Sequence, residues 1–344
     1  MKKFLQTAQC RIDLSGGTLD LWPLYLYVGG LELVNMAINV SAKVEVNRSK
    51  RKKSEPQFEV KSLDLNAHRT YRTFEELQDS LLFSSSENPL RWINRVICDV
   101  YRNQKASDKI SVVCSSQAPP GSGLGGSSVL GVALIQALLK SCGEHKAKGP
   151  EYLWKLQERV RNLEAIEIER PAGDQDYLPA LFGGLNVIHL DSNLRKVEKL
   201  SPTVAKKIQK RIAILYTGKP HHSGINNWSI FKSFHDGDLK VKKTLLEISK
   251  VSKQLSAHLR KGKIDQLDSL LNQEWELRRT LSPLVDAPVL QESWTFAQKL
   301  GATARKGCGA AGGGCIFFYF PNEKLQKVAL KTALPEKDWA WIEC

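Results

Sequence analysis

The chain has 344 residues, 42% hydrophobic and 25% charged, with a formal net charge of +14. Its length predicts two domains with sizeable cores. Its longest apolar run, residues 129–139, is too short to cross a bilayer and contains Gln136, so no membrane partner is expected. The basic excess includes Arg48, Lys50, Arg51, Lys52 and Lys53, a run that reads as a solvated loop between strands. No nucleic-acid-binding motif accompanies the charge, so no nucleic-acid partner is expected; a positive field would instead steer small anionic substrates. Met1 to Leu5 opens with two lysines but leads into no apolar segment of signal-peptide type. Seven cysteines, an odd number without metal spacing, read as reduced thiols in a cytoplasmic protein.

Taken in chain order, residues 6–14, 32–48 and 58–65 alternate or run apolar like strands. A helix is predicted over 87–102, a strand over 110–114, and helices over 129–141 and 150–169, the last with Pro150 at an allowed first-turn position. Residues 183–190 and 211–216 read as strands. Helical patterns follow over 226–234, 239–260, 264–281 and 289–301, then a strand over 315–320. There is no internal repeat or low-complexity linker.

Between the strand at 110–114 and the helix at 129–141 lies Pro119-Pro120-Gly121-Ser122-Gly123-Leu124-Gly125-Gly126-Ser127-Ser128. Glycines there allow positive φ and place no Cβ in the way, so several backbone N–H groups can turn toward one anion. The helix that starts at the serines adds unpaired amides and the positive end of its dipole. A polyphosphate is the expected guest. Gly121, Gly123 and Gly126 satisfy G-x-G-x-x-G, yet the only acid about 20 residues on is Glu144, in a loop, which argues against a dinucleotide site. No Lys lies in the segment, which excludes a Walker A loop, and neither His-Arg-Asp nor Asp-Phe-Gly occurs in the chain.

This segment closely resembles the central ATP loop of the GHMP kinases, and two more blocks strengthen the resemblance. Arg11-Ile-Asp-Leu-Ser-Gly-Gly-Thr-Leu-Asp20 is similar to the family's first motif. Gly307-Cys-Gly-Ala-Ala-Gly312-Gly313-Gly314 is similar to its third. Within the family the chain resembles the sugar 1-kinase branch of heptose 7-phosphate kinases and galactokinases. The blocks that carry this are Gly16-Gly17-Thr18-Leu19-Asp20, Asp174-Gln175-Asp176-Tyr177 and 180–186. Asp174 stands where that branch has Lys, Tyr177 where it has Gln, and the approach to this segment is shorter than usual. These departures bear on the substrate rather than on kinase activity.

The resemblance implies a two-domain α+β fold: an N-terminal ATP-binding domain at 1–200, like the second domain of ribosomal protein S5, and a ferredoxin-like C-terminal domain at 201–344. It implies an ATP-dependent sugar kinase that uses Mg²⁺ and works as a monomer or homodimer. Pro120, Gly121, Ser122, Gly123, Leu124, Gly125, Gly126, Ser127 and Ser128 would hold the nucleotide. Ser127 would also meet the metal, completed by a carboxylate from Glu164, Glu167 or Glu169; Glu167 is the expected one. Asp176 would face the acceptor hydroxyl with Arg11 paired to it, and Asp174 is the rival base. Gly16, Gly17 and Thr18 would make room for the sugar ring and Asp20 would bind its hydroxyls. Tyr177, His222, Gly312 and Gly313 would complete the substrate side. The remaining alternatives are a mevalonate-pathway kinase, a diphosphomevalonate decarboxylase-like enzyme, and a non-catalytic sugar- or ATP-binding regulator.

Overall fold

The computed structural model describes residues 2–84, 86–104, 108–144, 149–220 and 223–343, the side chains of 223–226 excepted. The elements run β1 (Lys2–Ser15), α1 (Leu24–Tyr27), β2 (Leu31–Ser49), β3 (Phe58–Ser62), β4 (Ala67–Tyr71), α2 (Phe74–Asp79), α3 (Arg91–Tyr101), β5 (Lys109–Ser116), α4 (Gly126–Cys142) and α5 (Pro150–Ile168). They continue α6 (Leu178–Phe182), β6 (Leu185–Leu190), β7 (Arg195–Lys199), α7 (Pro202–Gln209), β8 (Ile212–Tyr216), α8 (Ser223–His235), α9 (Leu239–Arg260), α10 (Leu267–Arg279), α11 (Pro288–Lys299), β9 (Ala304–Gly307), β10 (Cys315–Tyr319), α12 (Glu323–Lys331) and β11 (Ala340–Ile342). The fold is α+β, as expected. None of the described helices is long and apolar enough to cross a membrane.

Two compact units are present, and they interleave along the chain. One comprises Met1–Gln9, Ser41–Ala118 and Gly126–Ala172; the other comprises Cys10–Val40, Pro119–Gly125 and Gly173–Cys344. The long strands β1 and β2 each contribute residues to both units.

In the first unit the far half of β2 lies antiparallel to β5, Ala42 opposite Ser116. β3 lies parallel to β5, and β4 turns back antiparallel on β3. The sequence pattern places β3 but misses β4, because Ala67-His-Arg-Thr-Tyr71 carries no alternating apolar face. Helix α4 is buried along nearly its whole length, so its apolar residues surround it rather than form a stripe. Gly131 lets its neighbours approach: a Cβ there would stand 2.6 Å from Trp92 of α3 and 2.8 Å from Val160 of α5. Helix α3 begins at Arg91, not at 87, since Pro89 disfavours the helical region for the residue before it.

In the second unit the near half of β2 pairs antiparallel with β6, Leu31 opposite Leu190, and β7 pairs with β6. A separate antiparallel sheet has the order β11-β8-β10-β9. Strand β10 is buried at every position, which explains its unbroken run of apolar residues. Its Phe318 joins Trp275 of α10 and Leu290 of α11 in one hydrophobic cluster.

Candidate active site

The second unit gathers four segments that lie far apart in sequence. Arg11, on β1, is buried; its Nε donates to Asp176 Oδ1 at 2.8 Å and its Nη2 to the same oxygen. Its Nη1 donates to the Gly123 carbonyl at 2.6 Å, and its backbone N–H donates to the Leu124 carbonyl at 3.2 Å. One arginine therefore holds both the carboxylate and the glycine loop. Gly121, Gly123 and Gly125 all have positive φ, at 64°, 77° and 77°. Such a path is open to glycine and strained for other residues. A Cβ on Gly125 would stand 3.4 Å from Asp176, so the loop and the acid are in close contact. The third motif joins the same loop: the Cys315 N–H donates to the Ser122 carbonyl at 2.7 Å.

Electrostatics keep Arg11 charged. Burial works against charge on Arg11, but the Asp176 carboxylate outweighs it and holds the guanidinium above its ordinary range. The Asp176 side chain is 30% exposed, so a ligand can reach it. Asp174 has a side chain only 1% exposed, and its Oδ1 lies 3.4 Å from Arg195 Nη2.

Asp20 is buried and accepts from the Gln175 backbone N–H at 3.0 Å and from Gln175 Nε2 at 3.4 Å. It thereby fastens the segment that carries Asp176. Burial pushes its pKa from 3.8 up to about 7; the Gln175 hydrogen bond opposes this, and the carboxylates Asp176, Asp174 and Asp13 add to it. The glycines of the first motif are closely packed against their neighbours. A Cβ on Gly16 would meet Ser252 Oγ at 2.8 Å, and one on Gly17 would meet Asp13 Oδ2 at 2.3 Å. Thr18 has φ 71° and donates to Asn227 Oδ1 at 3.1 Å. Tyr177, expected on the substrate side, is buried in the core. Gly312 and Gly313 lie in the third glycine loop, where the Gly312 N–H donates to the Val285 carbonyl at 3.0 Å. His222 lies outside the described residues.

In the first unit, the entrance of α4 carries a polar set of its own. Ser127 Oγ and Ser128 Oγ donate to the two oxygens of Glu164 on α5, at 2.5 and 2.7 Å. Trp92 Nε1 donates to the Ser127 carbonyl at 3.0 Å and braces the turn. Glu167, the carboxylate expected beside Ser127, is instead held by Arg91 Nη1 at 2.9 Å and Arg95 Nε at 2.5 Å. Three residues along a helix is a 60° displacement around its axis, sufficient to aim Glu164 at α4 and Glu167 at α3. Glu169 sits past the end of α5 and is exposed. In an α-helix such as α4 the first amides have no intrahelical acceptor.

Residues 92–184 match the family of GHMP kinases, N terminal domain. The chain is 23% identical over 332 residues to a D-glycero-alpha-D-manno-heptose 7-phosphate kinase of Campylobacter jejuni, covering 95% of this chain and 93% of the relative. Among solved structures it is similar to a D-glycero-D-manno-heptose 1-phosphate kinase from Bacteroides thetaiotaomicron, with TM-score 0.72, 19% identity, and 98% and 94% of the two chains covered. It is similar in fold to the Methanococcus jannaschii mevalonate kinase as well, with TM-score 0.74, 18% identity, and 99% and 97% covered.

Proposed function

We propose that this chain, whose residues 92–184 match the GHMP kinase N-terminal domain, is an ATP-dependent sugar kinase that phosphorylates a hydroxyl, the anomeric one, of a sugar or sugar phosphate. The observation that carries this reading is the Arg11–Asp176 pair seated on the glycine loop, with Arg11 bound to Gly123 and Gly125 against Asp176. That arrangement sets a base beside a phosphate-holding backbone. Backbone amides of the glycine loop hold the phosphates. Asp176 accepts the proton of the acceptor hydroxyl as its oxygen bonds to phosphorus and the bond to ADP breaks. Arg11 balances charge on the moving group. The turn from Gly16 to Asp20 binds the acceptor.

The hydroxyls of Ser127 and Ser128 with the Glu164 carboxylate are hard oxygen donors of the kind Mg²⁺ takes. Among the described residues no group of three or more His, Cys, Asp or Glu gathers for a metal. This suits an ion that draws its other ligands from nucleotide phosphates and water. Ser127, Ser128 and Glu164 would hold Mg²⁺, which when bound would neutralise phosphate charge. We retain the 1–200 and 201–344 division as a proposal about sequence domains, a cytoplasmic location, and a monomer or homodimer.

A panel of free sugars, sugar phosphates and mevalonate with ATP and Mg²⁺, with the product read by phosphorus NMR, tests the proposal. An anomeric phosphate ester is expected. Phosphate on a primary hydroxyl overturns the regiochemistry, and turnover of mevalonate alone overturns the sugar reading. Asp176→Asn should lower kcat by about 10²- to 10⁴-fold, the range of a general-base contribution, while ATP binding persists. Parental kcat in that variant removes Asp176 from the chemistry.

A further inference from the structure

Beneath the first glycine turn lie four charged side chains that the phosphoryl-transfer reading does not use. Asp13, Glu274, Arg278 and Lys306 each have side chains no more than 3% exposed. Lys306 Nζ lies 3.0 Å from Asp13 Oδ2 and 2.8 Å from Glu274 Oε1. Arg278 Nη2 lies 2.9 Å from Glu274 Oε1 and 3.4 Å from Asp13 Oδ2. The four charges cancel. Apolar residues of similar volume are often as stable as a buried ion cluster or more so, so stability alone does not account for this one.

What an apolar core lacks is donors. Arg278 Nη2 also donates to the Gly17 carbonyl at 2.9 Å, and Nη1 donates to Thr18 Oγ1 at 3.2 Å. These are the residues of the turn held in an unusual conformation: Thr18 sits at φ 71°, a region that β-branched residues rarely occupy. Such a conformation persists only where its surroundings fix it. Lys306, the last residue before the third motif, lies in β9, so the cluster ties the first glycine turn, through α10, to the strand that enters the last glycine loop.

We infer that Arg278 is a positioning residue for the acceptor: its guanidinium, set by Glu274, Lys306 and Asp13, holds the Gly17–Thr18 turn in the shape that presents the acceptor hydroxyl for transfer. This rests on the reading of that turn as acceptor-binding. Misplacement of a reacting group by about 1 Å costs as much as 10²-fold in rate, so a modest relaxation of the turn is measurable.

Arg278→Lys keeps the buried charges balanced, but a single ammonium lacks the planar fork that reaches both the carbonyl and the hydroxyl. In the folded variant, the acceptor KM should rise about 10- to 100-fold while the KM for ATP stays within about twofold of the parent. Hydrogen exchange across residues 14–20 should quicken while exchange across 119–128 is unchanged. Parental acceptor KM overturns the inference, whatever the exchange shows. If the parent protein phosphorylates nothing in the sugar panel, the kinase reading fails separately. Exchange then decides the remaining claim: faster exchange over 14–20 sustains Arg278 as the brace of the turn, and unchanged exchange removes it. Should Arg278→Lys not fold, Thr18→Val removes the hydroxyl that accepts from Arg278, together with its bond to Asn227, and is read by the same two measurements.

Discussion

At position 164 the rotation of one helix decides which carboxylate serves the two serines of the α4 entrance. Glu164 accepts from Ser127 and Ser128, while Glu167, one turn on, is clamped by Arg91 and Arg95. Glu164→Gln should therefore raise the Mg²⁺ concentration needed for half-maximal activity, and Glu167→Gln should leave it unchanged. The second variant should instead lose about 1–3 kcal/mol of stability, the worth of hydrogen bonds to charged groups. Magnesium titrations and urea melts of the pair separate the two roles; superimposed titrations for Glu164→Gln would remove Glu164 from the metal site. Asp20 gives a pH prediction. Its folded pKa, about 7, lies above the ordinary 3.8, so the native state binds its proton more tightly than the unfolded chain. Its contribution is full below about pH 4 and is lost as pH rises toward 7. Asp20→Asn, which stays neutral, should lose less stability than the parent between pH 5 and pH 8. Equal losses in denaturant melts at the two pH values would show that Asp20 does not titrate in that window.

Helix α4 is the element on which the first unit depends, and its sequence states its place openly. A helix apolar on all sides has to be surrounded, and Gly131 marks where its neighbours come closest. Gly131→Leu should destabilise the protein by about 1–3 kcal/mol through overpacking against Trp92 and Val160, even though leucine is the better helix former. Chemical denaturation checks this; a variant as stable as the parent would mean that α3 and α5 can yield there. The edge strands β4 and β7 show the opposite case. Arg195-Lys-Val-Glu-Lys199, like β4, is polar and partly solvated, so its place in a sheet comes from backbone pairing with a neighbour rather than from its own side chains. Pattern reading has nothing to detect in such segments.

Across the whole molecule, the three glycine-rich blocks are each legible as motifs, and the helix after the central loop is legible with them. ATP with Mg²⁺ at about 100 times its Kd should add about 2.7 kcal/mol of stability by mass action, seen as a raised Tm. Gly123→Val, which strains a residue at φ 77° whose carbonyl Arg11 holds, should abolish that shift while the protein remains folded. An equal ATP-dependent rise in the variant would move the nucleotide elsewhere. The sequence, through its resemblance to the GHMP kinases, led to the α+β class and singled out the 119–128 loop, Arg11 and Asp176 as candidates, because each lies in a block that carries the resemblance. Tertiary structure alone decided that Glu164 rather than Glu167 meets Ser127, that Asp20 braces Gln175, and that Asp13, Glu274, Arg278 and Lys306 form one cluster. Those outcomes depend on the rotation of helices and on contacts between residues up to 293 positions apart, such as Asp13 and Lys306. Local propensity carries no information about them, since a lone buried charge is defined only by the partner that packing brings to it.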